Sequence, residues 1–162
     1  FRKRAHYHKC IELLGKYSVQ YHVTMVAYCL MPNHYHMLVR QDLDGSISRF
    51  LQTTFNAYVQ YFNTLERHSG TLFQGPAKSK LIESEAHLMR SLAYIHANPV
   101  RASLVRNVTD WEYSDYESWV GDSDANFLSK ELRNSPIVDG KSYREFVQAY
   151  LLGTADSEEW EP

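Results

Sequence analysis

The strongest constraint on the fold is a pair of strand-like segments separated by a short turn. Residues 20–30 (QYHVTMVAYCL) and 34–41 (HYHMLVRQ) are rich in β-branched and aromatic residues, which favour strands. Between them lie Pro32 and Asn33, two residues that are typical of turns. The sequence therefore predicts an antiparallel hairpin over residues 20–41.

Helical patterns surround this hairpin. Apolar residues recur at helical spacing in four segments: residues 4–19, 47–67, 84–100 and 141–153. Ser46 and Ser84 are predicted to cap the second and third helices, and Pro99 is predicted to end the third. Residues 71–82 fit either a strand or an irregular loop, and residues 110–121 fit a short aromatic turn or helix.

Charge is distributed unevenly along the 162 residues. Residues 1–108 carry 13 Lys+Arg against 6 Asp+Glu, whereas residues 109–162 carry 4 against 13, and all eight histidines precede residue 109. This split indicates either a cationic functional region followed by an acidic tail, or an acidic surface that is simply solvated. We expect no secretory signal and no membrane helix, because no apolar run approaches the required length of about 20 residues. Two cysteines without metal-ligand spacing indicate a reduced, cytoplasmic setting.

Two histidines interrupt the apolar second strand. Side chains two positions apart on a strand point the same way, so we expect His34 and His36 to face one side and Tyr35 to face the other. Neutral imidazole is a common metal ligand, and two rings on one face can converge on one divalent ion. Such a site needs a third ligand from elsewhere. The pair also fits the simpler interpretation of half-exposed strand histidines that bond to their neighbours.

A nucleophile beside such an ion could be Ser, Cys, Tyr or an activated water. If one helix supplies both a nucleophile and a ligand, the two residues should lie four apart. Of the 12 tyrosines, only Tyr94, with Asn98, and Tyr113, with Glu117, have a suitable residue at that offset. Tyr94 lies in the predicted 84–100 helix, and an amide oxygen at Asn98 suits Mg²⁺ or Mn²⁺. Alternatively, Tyr94 is a core aromatic and Asn98 an ordinary helix-terminal residue.

Three stretches, in this order, resemble a known family: LMPNHYHMLV (30–39), LFQGPAKSKLI (72–82) and LAYIHANPVRASLV (92–105). The histidine–bulky residue–histidine form of residues 34–36 resembles the HUH nucleases. The combination is most similar to the single-tyrosine transposases, and among these to the REP-associated tyrosine transposases, over roughly residues 5–120.

The resemblance implies an α+β, ferredoxin-like fold, in which an antiparallel sheet carries the histidine pair and helices pack beside it. It implies a transposase domain at residues 1–120, followed by an acidic, partly helical extension at residues 121–162. Family members usually place a strand ahead of the first helix, and none is found here. The segment QGPAKSK also departs from the family, which favours an arginine and an aromatic residue where Pro76 and Ala77 stand.

The resemblance also implies the chemistry. His34 and His36 correspond to the metal-binding pair, Tyr94 to the nucleophile and Asn98 to a third ligand, with Mg²⁺ or Mn²⁺ as the ion. The implied reaction cleaves and rejoins single-stranded, hairpin-containing DNA through a 5′-phosphotyrosine. Candidate DNA contacts are the cationic side chains of Arg2, Lys3, Arg4, Lys78, Lys80, Arg101 and Arg106.

Three other functions stay open at this point. The first is a metal-dependent hydrolase that uses water instead of Tyr94. The second is a non-catalytic, domesticated protein that binds hairpin DNA. The third is a replication-initiator-type HUH nuclease, although such proteins often pair two tyrosines on one helix and no second tyrosine lies one turn from Tyr94. A homodimer is also left open, and with it whether Tyr94 works with histidines of its own chain or of a partner.

Overall fold

The hairpin lies between two groups of helices in the computed structural model, which describes residues 1–121 and 140–154. In chain order the elements are α1 (Arg4–Gln20), β1 (Val23–Leu30), β2 (Tyr35–Gln41), α2 (Ile47–Glu66), α3 (Glu85–Arg101), a 3-10 turn (Val108–Asp110), α4 (Tyr116–Val120) and α5 (Gly140–Leu151). The predicted α+β class, with an antiparallel sheet and packed helices, is confirmed. Residues 71–82, which fitted either a strand or a loop, form irregular structure.

The sheet that the described residues form has two strands. Strands β1 and β2 pair antiparallel, with Cys29 opposite His36, and a β-bulge interrupts the register between Met25 and Ala27. The other edge of β1 is partly covered by the chain after α3, where Ser114 makes an isolated bridge with Cys29. This bridge satisfies backbone groups that an open strand edge would leave unpaired.

Both faces of β1 are buried, which explains its nearly continuous apolar sequence. One face, with Met25 and Leu30, packs in a cluster with residues of α1 and α2 such as Phe50. The other face, with Cys29, packs in a second cluster with residues of α3, α4 and α5 such as Leu92. The hairpin therefore separates two apolar cores, and the second core holds the C-terminal helix.

The predicted helix caps are confirmed, whereas the predicted helix stop is wrong. The hydroxyls of Ser46 and Ser84 accept hydrogen bonds from the backbone N–H groups three residues later, at 3.3 and 3.1 Å. Pro99 does not end α3, which continues for two more residues to Arg101. A proline lacks the N–H that would bond four residues back, and its ring crowds that carbonyl, so its effect falls on the turn before it. The bonds after Pro99 still form, because the N–H groups of Ala102 and Leu104 donate to the carbonyls of Asn98 (2.8 Å) and Pro99 (2.9 Å).

Helix α5 belongs to the predicted C-terminal extension. Its Tyr143 and Val147 side chains are buried in the second core. The rest of that prediction falls on residues 122–139 and 155–162, which lie outside the described residues. Within residues 1–121 and 140–154, no helix is both long and apolar enough to cross a membrane.

Candidate active site

The two histidines meet at the start of β2. His34 precedes the strand, His36 is its second residue, and their Nε2 atoms lie 3.0 Å apart. Tyr35 points to the opposite face, where its ring stacks on Phe55 at 4.3 Å between ring centres. The alternation predicted from the strand period therefore holds, and it brings two imidazole nitrogens to one point at the surface.

Both histidine rings are held in the neutral form at pH 7. Partial desolvation lowers the pKa of His34, and burial, assisted by the neighbouring His34, lowers the pKa of His36 to about 4. His34 donates from Nδ1 to Asn33 Oδ1 at 2.7 Å, which leaves its Nε2 as the acceptor for His36. An ion that bound both Nε2 atoms would therefore require His36 to carry its proton on Nδ1 instead.

Tyr94 from α3 lies beside this pair in the same chain. Its half-buried ring packs edge-to-face on His36, with ring centres 5.2 Å apart and planes at 85°. Its neighbours Leu92 and Ala93 are fully buried in the second core, which fixes the helix against the sheet. The structure thus brings Tyr94 into contact with a histidine that lies about 60 positions earlier in the sequence.

The alternative pair, Tyr113 with Glu117, does not share a helix. Tyr113 precedes α4, and its ring stacks on Tyr7 with ring centres 3.7 Å apart and planes at 10°. Tyr113 therefore packs among the aromatics of the first core. Of the two candidates, Tyr94 alone lies on one helix with its polar partner.

Asn98 lies one turn after Tyr94, and its amide nitrogen donates to the Tyr94 backbone carbonyl at 2.7 Å. This bond engages the nitrogen end of the amide, so the oxygen is the atom that could bind a cation. Within residues 1–121 and 140–154, no group of three or more His, Cys, Asp or Glu side chains could hold a metal ion. The histidine pair therefore needs an amide, a water or a DNA oxygen to complete a coordination shell.

The histidine pair itself fits a small divalent ion. Ligand atoms on adjacent corners of an octahedral Mg²⁺ site, each about 2.1 Å from the ion, lie about 3.0 Å apart. The two Nε2 atoms have a separation of 3.0 Å, and both rings are neutral, as metal binding requires. His34 and His36 are thus suited to hold such an ion, and Asn98 remains the predicted third ligand.

Arg101 also lies beside Tyr94, a position that the sequence did not indicate. Its guanidinium lies 5.7 Å from the centre of the Tyr94 ring and 5.8 Å from that of Tyr150, on α5. It also donates to the Tyr150 hydroxyl at 3.0 Å. Spacing along α3 could have placed Arg101 on the Tyr94 face, because the two residues are seven apart. No local signal points to Tyr150, which lies 49 residues further on.

The other predicted DNA contacts fall into two groups, cations in ion pairs and exposed cations. Lys3 forms an ion pair with Glu66 at 2.7 Å, and Arg4 forms one with Glu112 at 3.0 Å. Both cations are therefore already engaged with carboxylates. The remaining candidates are exposed cations, two of them in the irregular segment before α3: Arg2, Lys78, Lys80 and Arg106.

A buried polar network anchors α3 to the rest of the domain. His96, two residues after Tyr94, is fully buried and lies 2.6 Å from the Tyr143 hydroxyl through Nδ1 and 3.0 Å from Asp115 Oδ1 through Nε2. Burial raises the pKa of Tyr143 well above its ordinary value, so this phenol keeps its proton and donates to Nδ1. Asp115 also accepts from the Tyr28 backbone N–H at 2.6 Å and from Trp119 Nε1 at 2.9 Å. No pattern in the sequence predicts this network.

Comparisons with known proteins indicate the family of the chain. A family model described as "Transposase IS200 like" matches residues 1–98. A protein of Haemophilus influenzae, described as "Putative REP-associated tyrosine transposase", is 31% identical over 120 residues, which cover 61% of this chain and 68% of that protein. No solved structure matches the chain.

The fold and the comparisons together define the class of protein. This chain belongs to the IS200-like transposase family. Within that family it is similar to a relative of the REP-associated tyrosine kind. Membership of a transposase family implies that DNA is a partner and that cleavage and transfer of DNA strands is the reaction class.

Proposed function

We propose that this protein cleaves and rejoins single-stranded DNA that contains a hairpin, with Tyr94 as the nucleophile. The observation that carries the proposal is the edge-to-face contact of Tyr94 with His36, 5.2 Å between ring centres, within a single chain. In this contact a phenol lies beside two imidazoles, a side-chain type that commonly binds metal ions.

The proposed step is an in-line displacement at phosphorus. The Tyr94 oxygen bonds to the phosphorus, and the bond from phosphorus to the 3′ oxygen of the upstream nucleotide breaks. The phenol proton is lost to solvent, and the departing alkoxide takes up a proton to become a 3′-OH. The downstream fragment stays attached as a 5′-phosphotyrosine. Attack by another 3′-OH reverses these changes and joins two strands without an external energy source.

His34, His36 and Asn98 would hold Mg²⁺ or Mn²⁺. Such an ion supplies Lewis-acid polarisation of a non-bridging phosphate oxygen. The contribution of the protein is to keep both imidazoles neutral at pH 7 through desolvation and to fix the Tyr94 ring against His36. Exposed cations such as Lys78 and Lys80 would attract the DNA backbone in a salt-dependent manner.

The test is incubation with a hairpin-containing single strand labelled at its 3′ end, in the presence of Mn²⁺, followed by a denaturing protein gel. We expect a labelled band of protein size for the wild type and for Tyr113→Phe, a half-buried tyrosine of the other candidate pair, and no such band for Tyr94→Phe. Cleavage by Tyr94→Phe would instead indicate a hydrolase that uses water. Tight hairpin binding without cleavage by any variant would indicate a non-catalytic binding protein.

A related experiment addresses the homodimer. Because Tyr94 lies beside the histidines of its own chain, we expect each monomer to be able to cleave alone. Mixing Tyr94→Phe with His36→Ala should then restore no activity. Recovery of adduct formation in the mixture would show that subunits exchange the tyrosine helix.

A further inference from the structure

Arg101 lies between two tyrosine rings at the edge of the candidate site. Its guanidinium carbon is 5.7 Å from the centre of the Tyr94 ring and 5.8 Å from that of the Tyr150 ring. Both distances lie within the range of about 6 Å in which a cation is attracted to an aromatic face. One face of α3 therefore presents the proposed nucleophile, its amide neighbour Asn98 and a cation at positions i, i+4 and i+7.

The position of Arg101 is maintained by a residue of another helix. Arg101 is exposed and would otherwise sample many rotamers in solvent. The Tyr150 hydroxyl accepts a hydrogen bond from one of its terminal nitrogens at 3.0 Å, and the Tyr150 ring lies under the same guanidinium. Tyr150 is itself anchored, because α5 buries Tyr143 and Val147 in the second core. The C-terminal helix thus restricts a side chain that contacts Tyr94.

We infer that Arg101 acts in the cleavage step and that Tyr150 is the positioning residue that holds it over Tyr94. The inference rests on the proposed function. A phosphate attacked by the Tyr94 oxygen must approach the ring beside which the guanidinium lies, 5.7 Å from the ring centre. Negative charge on that phosphate grows as the new bond forms, and a preorganised guanidinium stabilises it through N–H groups that Tyr150 does not engage. This role differs from that of a general backbone contact, which would only tighten DNA binding.

Single-turnover kinetics separate these two roles. The rate of adduct formation at saturating hairpin DNA and the Kd for the same DNA, measured by fluorescence anisotropy, are compared across variants. We expect Arg101→Ala to lower the saturated rate about 100-fold, the range found for removal of one preorganised donor. Tyr150→Phe should lower it about 10-fold, because the ring remains but the hydrogen bond is lost. Arg49→Ala, the matched control, removes an exposed arginine of α2 and should leave the saturated rate unchanged.

A double-mutant cycle tests whether Tyr150 acts through Arg101. If it does, adding Tyr150→Phe to Arg101→Ala should cause no further loss. Arg101→Lys should remain well below the wild-type rate, because an ammonium keeps the charge but not the planar fork of N–H donors. Circular dichroism and urea midpoints close to those of the wild type would show that each variant is folded, and Tyr150→Phe keeps the ring for this reason.

Several results would overturn the inference. If Arg101→Ala weakened DNA binding but left the saturated rate intact, Arg101 would be an ordinary backbone contact. If the variant cleaved faster than the wild type, the Arg101 side chain would be an inhibitory cover on Tyr94. Equal losses from Tyr150→Phe with and without Arg101 would mean that Tyr150 acts independently. A wild type that forms no adduct, or a Tyr94→Phe variant that still forms one, would refute the proposed function itself and this inference with it.

Discussion

Replacement of Asp115 by asparagine should destabilise the whole domain, because this buried carboxylate joins three elements. It accepts hydrogen bonds from the β1 backbone at Tyr28 (2.6 Å), from α3 at His96 (3.0 Å) and from Trp119 on α4 (2.9 Å). Asp115 is 3% exposed, so water cannot replace a lost partner. Asparagine has nearly the same shape but only one acceptor oxygen.

The magnitude follows from the geometry of the three bonds. Oδ1 accepts from Tyr28 and His96, and Oδ2 accepts from Trp119. The less costly orientation of asparagine keeps its oxygen at the Oδ1 position and turns its NH₂ towards the Trp119 N–H. One buried donor then lacks an acceptor, at a cost of about 1–3 kcal/mol. The other two bonds lose their charge assistance and weaken further. We expect a loss of about 3 kcal/mol from a total stability that is typically about 5–15 kcal/mol.

Urea denaturation monitored by tryptophan fluorescence and circular dichroism measures this loss. Glu117→Gln is the matched control, because it makes the same acid-to-amide change at an exposed position of α4, and it should shift stability by less than about 0.5 kcal/mol. Tyr143→Phe, which removes only the donor to His96, should cost an intermediate amount of about 1–2 kcal/mol. An Asp115→Asn variant within about 1 kcal/mol of the wild type would refute the reasoning, because the buried donors would then not depend on the carboxylate.

Three further predictions concern the loop after β2, the histidine pair and the metal. Gly45→Ala should lower the urea midpoint by the equivalent of about 2 kcal/mol, because its Cβ would lie 2.2 Å from the His22 carbonyl oxygen; an unchanged midpoint would contradict this. The folded-state pKa of His36 is about 4 and its ordinary value 6.5, so the folded state takes up fewer protons between these values. Acidification from pH 6.5 to about 4 should therefore lower the free energy of unfolding of the wild type more than that of His36→Gln, as measured by urea titrations of both proteins. Equal losses in the two proteins would exclude the lowered pKa of His36. Asn98→Ala should raise the Mn²⁺ concentration for half-maximal adduct formation at least about 10-fold, whereas no change would remove Asn98 from the ligand set.

The hairpin and the main helices could be predicted from local pattern because each has a strong periodic or capping signal. Strand alternation also places both histidines on one side, and a helical offset of four links Tyr94 to Asn98. The predicted end of α3 was wrong because the missing N–H and the ring of Pro99 disturb only the turn before it. The backbone N–H groups of Ala102 and the residues after it still bond to the last carbonyls of the helix.

The contact between Tyr94 and His36 required more than local pattern. No local pattern around Tyr94 or His36 predicts that α3 packs on the second face of the hairpin. Resemblance to a family supplied that pairing, whereas spacing alone left two interpretations of Tyr94 open, a nucleophile or an ordinary core aromatic. The buried Asp115 was missed for a related reason. In sequence it lies in an acidic stretch, where a solvated surface is the usual interpretation, and only the folded chain brings its three donors together.

The C-terminal helix connects stability and chemistry in this fold. Tyr143 and Tyr150 are seven residues apart on α5, which places them on one face of the helix, two turns apart. The first donates into the buried network at His96, and the second accepts from Arg101 beside the proposed nucleophile. The family model matches residues 1–98, a range that does not include Arg101, Tyr143 or Tyr150. A helix that lies outside that match therefore both completes the second core and constrains a side chain beside the proposed nucleophile. For this reason, variants that loosen the α5 contacts should lower the rate of strand cleavage before they unfold the domain.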